Sequence, residues 1–145
     1  MSVTARALLT EKKTPLIHFV RPQQTTYEAL QLMAEKDIGA VAVMEGETLR
    51  GVLTERDYAR KIVLHGKASR HTPVAETMNV HFPKVSPEMT IEDCMRLISE
   101  RRFRYVAVME GERLLGMISI GDIVKHIIAH QQASIEHLER YISGF

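Results

Sequence analysis

A shift of 65 positions lays residues 20–65 on residues 85–130 without a gap. Val20-Arg21-Pro22 falls on Val85-Ser86-Pro87, and Thr25 falls on Thr90. Val41-Ala-Val-Met-Glu-Gly-Glu47 recurs unchanged as Val106-Ala-Val-Met-Glu-Gly-Glu112, and Leu49, Gly51, Asp57 and Ile62 meet Leu114, Gly116, Asp122 and Ile127. A duplicated chain must build two similar units, and two copies are too few for an open solenoid. A closed pair, packed face to face over one shared apolar surface, is the expectation.

Each copy reads as β-α-β-β-α, an α/β (α+β) architecture. Short extended segments over 17–20 and 82–85 stop at Pro22 and Pro87. Helices are predicted over 26–36 and 91–101, with Leu30, Met33 and Ala34 at i, i+3, i+4 and Met95 and Ile98 in the equivalent places. Thr25 with Glu28, and Thr90 with Asp93, have capping-box spacing at their starts. Apolar runs over 40–44 and 105–109 lead through Glu-Gly-Glu turns into strands over 49–53 and 114–118, which makes two hairpins. A second helix follows Thr54 or Ser119. Residues 1–66 thus hold the first copy with a lead-in helix over 3–9. Residues 67–130 hold a polar linker (67–72), a lead-in helix over 74–78 and the second copy. Residues 131–145 are a helical extension, with Gly144 as its stop signal. Val124, Ile128, Gln131, Ile135, Leu138 and Ile142 form a heptad-like seam that could meet a partner, a second copy, or its own module.

A chain of 145 residues, 45% apolar and 26% charged, can bury a core. With 19 basic against 18 acidic residues its charge is +1, which argues against nucleic acid as the main partner, because phosphate binding needs a basic excess. One cysteine, Cys94, cannot form an internal disulfide. No apolar run approaches the roughly twenty residues of a membrane helix, and the first ten residues lack the apolar core of a signal peptide. A soluble cytoplasmic protein is expected.

Thr54-Glu55-Arg56-Asp57 and Ser119-Ile120-Gly121-Asp122 stand where a strand passes into a helix. A helix N-terminus offers free N–H groups and partial positive charge to a phosphate, a hydroxyl can bond the same group, and an ionised aspartate accepts from vicinal ribose hydroxyls. The same spacing is also a capping box. Aspartate in place of the longer Glu or Gln tilts the reading toward function.

These motifs in this order resemble tandem CBS (cystathionine-β-synthase) domains: the Val-Arg-Pro and Val-Ser-Pro openings, the Val-Ala-Val-Met strands, Gly51-Val-Leu-Thr-Glu-Arg-Asp57 and Gly116-Met-Ile-Ser-Ile-Gly-Asp122. The resemblance covers all but the last fifteen or so residues. It implies a stand-alone Bateman module, two repeats related by pseudo-twofold symmetry with clefts that bind AMP, ADP, ATP, NAD(H) or S-adenosylmethionine. Thr54 and Asp57 would serve one cleft, Ser119, Gly121 and Asp122 the other. Adenine would lie against Ile17, His18, Ile38, Gly39 and Ala40 in one copy, and Phe82, Pro83, Phe103, Arg104 and Tyr105 in the other. Arg56, Arg102 and Arg104 are candidates for phosphate, a group that a guanidinium fork suits. They also suit simple solvation near a helix end. The resemblance further implies a homodimer.

His126 and His130 are four apart on a helix, but sequence supplies no third ligand, so no metal is assigned. Cys94 replaces Ala29 on an apolar helix face and reads as a core residue. No catalytic set such as a nucleophile elbow or a Gly-rich phosphate loop is visible. Three readings follow: a regulatory adenine-nucleotide sensor that signals to an effector protein, a structural or dimerisation module without ligand, and a nucleotide-processing enzyme.

Overall fold

The computed structural model describes residues 3–12 and 17–142. Helix α1 (Ala5–Glu11) comes first, then β1 (Phe19–Val20), α2 (Thr26–Lys36) and the hairpin β2 (Ala40–Glu45) and β3 (Thr48–Thr54). A short helix α3 (Glu55–Asp57) runs into a wider turn over Tyr58–Val63, where the Leu64 N–H reaches back five residues to Ala59 O. A 3-10 turn (Val74–Glu76) precedes β4 (Lys84–Val85), α4 (Ile91–Arg101), β5 (Tyr105–Glu110), β6 (Arg113–Ser119) and α5 (Ile120–Ile142). The predicted element order holds throughout. β1 and β4 are shorter than read, and α1 starts two residues later.

Two three-stranded sheets result, ordered β1-β2-β3 and β4-β5-β6. β1 runs parallel to β2 with Phe19 opposite Ala42, and β4 runs parallel to β5 with Lys84 opposite Ala107. Parallel neighbours need a crossover, which α2 and α4 provide. The antiparallel β2–β3 pair places Ala40 opposite Thr54 and carries a bulge between Val43 and Met44.

The chain divides into two compact units that do not follow sequence order. Unit 1 takes residues 3–12, Pro83–Val108 and 117–142; unit 2 takes 17–82 and Met109–Gly116. Each lead-in segment therefore packs with the copy it does not precede, whereas the boundaries 1–66 and 67–130 follow chain order. Backbone bonds give the reason. In unit 1, the Ala5 N–H donates to Met89 O (2.8 Å), Arg6 N–H to Pro87 O (2.9 Å) and Ile91 N–H to Val3 O (2.9 Å). In unit 2, Val74 N–H donates to Gln24 O (2.8 Å), Ala75 N–H to Pro22 O (3.0 Å) and Thr26 N–H to Thr72 O (2.8 Å). The same docking is made twice, each time on the Pro that closes a first strand. It satisfies main-chain groups that would otherwise be orphaned beside a helix start.

The core of unit 2 gathers Val20, Ala29, Met33, Val41, Val43, Leu53 and Val74, with Leu30, Leu32, Ile38 and Met78 packed on it. Val41, Val43 and Leu53 occupy one face of the pleat, as a period of two requires. Of the residues expected on the first-helix faces, Ala34 is exposed and Met95 is 41% exposed. The buried stripes run instead through Ala29 and Met33, and through Ile91, Cys94 and Ile98. Ala29 and Cys94 are fully buried in these stripes, beside the larger Met33, Ile91 and Ile98. Cys94 is fully buried, as read.

Helix α5 is continuous, and on it Val124 and Ile128 are 47% and 59% exposed. The side chains of Ile135, Leu138 and Ile142, and Gly144, lie outside the described residues. No helix among the described residues is long and apolar enough to cross a membrane.

Candidate functional site

At one end of each sheet the strand termini converge, and the candidate residues converge with them. In unit 2 the Ala42 N–H donates to His18 O (3.3 Å) and Glu55 N–H to Gly39 O (3.1 Å), while Ala40 stands opposite Thr54. This brings Ile17 and His18, Ile38 to Ala40, and Thr54 to Asp57 to one sheet end. Bare space matters at Gly39, because a Cβ there would lie 3.2 Å from Glu55 Oε1. Unit 1 repeats the arrangement: Ala107 N–H donates to Pro83 O (2.9 Å) and Ile120 N–H to Arg104 O (2.8 Å). Phe103 meets Tyr105 edge-on at 5.7 Å, and Tyr105 is buried. Phe82, buried, falls in unit 2, so the unit 1 set begins at Pro83.

Both aspartates complete capping boxes, so the inference drawn from their shorter length is corrected. Thr54 N–H donates to Asp57 Oδ2 (2.9 Å) while Asp57 N–H donates to Thr54 Oγ1 (3.1 Å). Ser119 N–H donates to Asp122 Oδ2 (2.9 Å) and Asp122 N–H to Ser119 Oγ (3.1 Å). A tight strand-to-helix turn brings the short side chain within reach. At the first helices only the hydroxyl half of the expected box is made: Glu28 N–H donates to Thr25 Oγ1, and Asp93 N–H to Thr90 Oγ1, both at 3.2 Å. Their acids turn elsewhere, Glu28 to the Gln24 amide (2.8 Å) and Asp93 to Arg96 (2.9 Å).

The two junctions differ in how far their carboxylates are engaged. Asp57, its side chain 8% exposed, also accepts from Thr54 Oγ1 (2.9 Å) and from Asn79 Nδ2 at 2.9 and 2.8 Å, with Lys61 Nζ at 3.5 Å. Lys61 Nζ in turn donates to Thr77 O (3.1 Å) and Asn79 Oδ1 (3.0 Å). Asp122, 22% exposed, pairs through Oδ2 with Lys12 Nζ at 3.1 Å, and Lys12 also donates to Met117 O (2.9 Å).

Asn79, Lys61 and Lys12 are partners of the junction aspartates that sequence reasoning missed. Lys61 stands one helical turn after Asp57, a spacing that could have drawn attention to it. Nothing in the sequence links Lys12 to Asp122.

Arg56, Arg102 and Arg104 are exposed, and Gly121 is exposed with room for a methyl group 3.6 Å from Ser119 Oγ. Arg102 ends α4 in the left-handed region (φ 58°), and the Arg101 guanidinium lies 5.7 Å from the Phe103 ring centre. His126 and His130 stack with centres 6.5 Å apart, and His126 Nδ1 lies 3.0 Å from Glu11 Oε2. Among the described residues no group of three or more His, Cys, Asp or Glu side chains is placed to hold a metal. A cavity of about 630 Å³ in unit 2 borders Ile17, Phe19, Met44, Thr48 and Arg113; of the candidate residues it takes in Ile17 and not Thr54 or Asp57.

A duplicated β-α-β-β-α unit with an alcohol and a carboxylate at each second strand-to-helix junction defines a paired-repeat α/β module. The chain belongs to the CBS domain family, whose profile matches it twice, over residues 13–64 and 74–129. It is 34% identical over 125 residues to the mitochondrial CBS domain-containing protein CBSX3 of Arabidopsis thaliana, covering 83% of this chain and 61% of that protein. It is 31% identical over 120 residues to the CBS domain-containing protein YhcV of Bacillus subtilis, covering 83% of this chain and 85% of that one. A solved protein with CBS domains from Burkholderia ambifaria superposes with a TM-score of 0.85 at 42% identity, over 89% of this chain and 96% of that one. CBS domain pairs of this kind are typically regulatory or signal-transduction modules.

Proposed function

We propose that the chain is a regulatory module that binds an adenine nucleotide (AMP, ADP, ATP or NAD(H)) and passes its state to an effector protein without turning the nucleotide over. The observation that carries this is the repeated convergence of Thr54 and Asp57, and of Ser119 and Asp122, with the strand ends that could receive a base. Asp122 is the better acceptor, since its carboxylate is more exposed and only Oδ2 is engaged by Ser119 and Lys12. Phe103 and the Arg104 backbone border the same sheet end, and exposed Arg102 and Arg104 suit a phosphate. The exposed Val124 and Ile128 on α5 suit a second copy of the chain, giving a homodimer.

Thermal denaturation of protein shown by mass spectrometry to be ligand-free, with AMP, ADP, ATP and NADH added in turn, tests the reading. A nucleotide at a hundred times its dissociation constant adds about 2.7 kcal/mol. Asp122→Asn should lower its affinity at least about tenfold. A flat response to all four nucleotides would sink the proposal. The double capping boxes favour a second reading, a ligand-free dimerisation module, for which Asp122→Asn alters stability alone.

A further inference from the structure

Each junction aspartate is gripped by a side chain that arrives on the lead-in segment of the other copy. Asn79, just past the 3-10 turn that precedes the second copy, spans both oxygens of Asp57 in unit 2. Lys12, the residue capping α1 ahead of the first copy, pairs with Asp122 in unit 1. The chemistry differs, an amide in one and an ammonium in the other, but the connection is the same. Segment 77–79 is drawn close: Asn79 and Val52 exchange backbone bonds at 2.8 and 2.9 Å, and Gly51 leaves room where a Cβ would lie 2.7 Å from Asn79 O.

We propose that these grips are ligand-sensitive clamps: hydroxyls that take the carboxylate of Asp57 or Asp122 displace Asn79 or Lys12 and loosen the attached lead-in segment. The inference rests on the nucleotide reading above. A carboxylate offers about four lone-pair sites. Asp57 receives three hydrogen bonds on Oδ2 and one on Oδ1, and its side chain is 8% exposed, so a sugar reaches the carboxylate where a bound donor gives way. Thr54 N–H is fixed by the strand-to-helix turn, whereas the Asn79 amide is a side chain held by its rotamer and by Lys61 Nζ on its Oδ1 (3.0 Å). At Asp122, Ser119 N–H and Lys12 share Oδ2, so vicinal hydroxyls that span both oxygens compete with Lys12, whose long side chain can leave at little strain. Ligand and clamp compete for one group, so each weakens the other by the same factor.

Hydrogen exchange on the full chain, free and with saturating AMP, tests this. Exchange at the Asn79 and Val52 amides and along α1 should rise about threefold or more with AMP. Asn79→Ala should show the faster exchange at 77–79 without ligand and bind AMP several-fold more tightly, an effect that a merely structural contact would not produce. Lys12→Met should speed exchange along α1 alone. If AMP binds by thermal shift and exchange at both segments is unchanged or slower, the clamps are overturned and the nucleotide reading stands. If no nucleotide binds, that reading fails and the release step fails with it.

Discussion

The Asn79 side-chain nitrogen lies 2.9 Å from Oδ1 and 2.8 Å from Oδ2 of Asp57, so a single amide group bridges the whole carboxylate. The two residues are 22 apart in sequence, and the bridge ties segment 77–79 to the start of α3. Asn79→Ala leaves a buried carboxylate short of two donors. We predict a loss of about 1–3 kcal/mol in urea unfolding at unchanged m value. Asn79→Asp, which sets a second carboxylate at that distance, should cost more. Stability equal to wild type in both would show that the bridge contributes nothing.

Gly51 and Gly121 should respond in opposite ways to alanine. A Cβ at Gly51 would lie 2.7 Å from Asn79 O and 2.9 Å from Met78 Sδ, so Gly51→Ala must push the lead-in segment off β3, at about 1–3 kcal/mol. A Cβ at Gly121 meets Ser119 Oγ at an ordinary 3.6 Å, within the first turn of α5. Gly121→Ala should be neutral or stabilise by up to about 1 kcal/mol, read from the melting temperatures of the two variants.

Asp37 and Arg102 end α2 and α4 at φ of 53° and 58°, the left-handed region that glycine enters without a Cβ penalty. Arg102→Gly should stabilise by up to about 1 kcal/mol, and Asp37→Gly by less, because a short polar side chain tolerates the position better. Calorimetric melting that falls in both variants would contradict this.

Cys94 carries the pH-dependent prediction. Burial, then the neighbouring Asp93 and Glu92 carboxylates, push its thiol above the ordinary value of 9.0. The folded protein holds that proton more tightly than the unfolded chain does. The contribution is therefore complete below the unfolded thiol's value and fades as pH rises through the folded one. Wild type should lose stability above about pH 9 relative to Cys94→Ala, and iodoacetamide labelling should be slow until the protein opens. Parallel stability curves for the two proteins through that range would refute it.

Repetition made the elements legible. Two copies of Val-Ala-Val-Met-Glu-Gly-Glu fixed both hairpins and both preceding helices, and the helix ranges 26–36 and 91–101 are those observed. The buried face was less legible: with Ala29, Leu30, Met33 and Ala34 all apolar, periodicity alone could not choose between neighbouring stripes. The junctions themselves, Thr54–Asp57 and Ser119–Asp122, were readable as motifs. Their surroundings were not, because Asn79 and Lys12 reach them through tertiary docking that leaves no local spacing. Exchange of the lead-in segments was hidden for the same reason, since Val3–Arg6 matches residues 72–75 in backbone bonding and not in side chains.

That exchange makes the linker a poor place to divide the protein. A fragment ending at residue 66 would keep α1 without the Pro87–Ile91 strip that receives it, and would lack Val74 of its core and Asn79, which bonds the edge of β3. The complementary fragment would suffer the mirror loss. Each half would lack part of its own packing, so ancestry in a duplication does not make the copies separable.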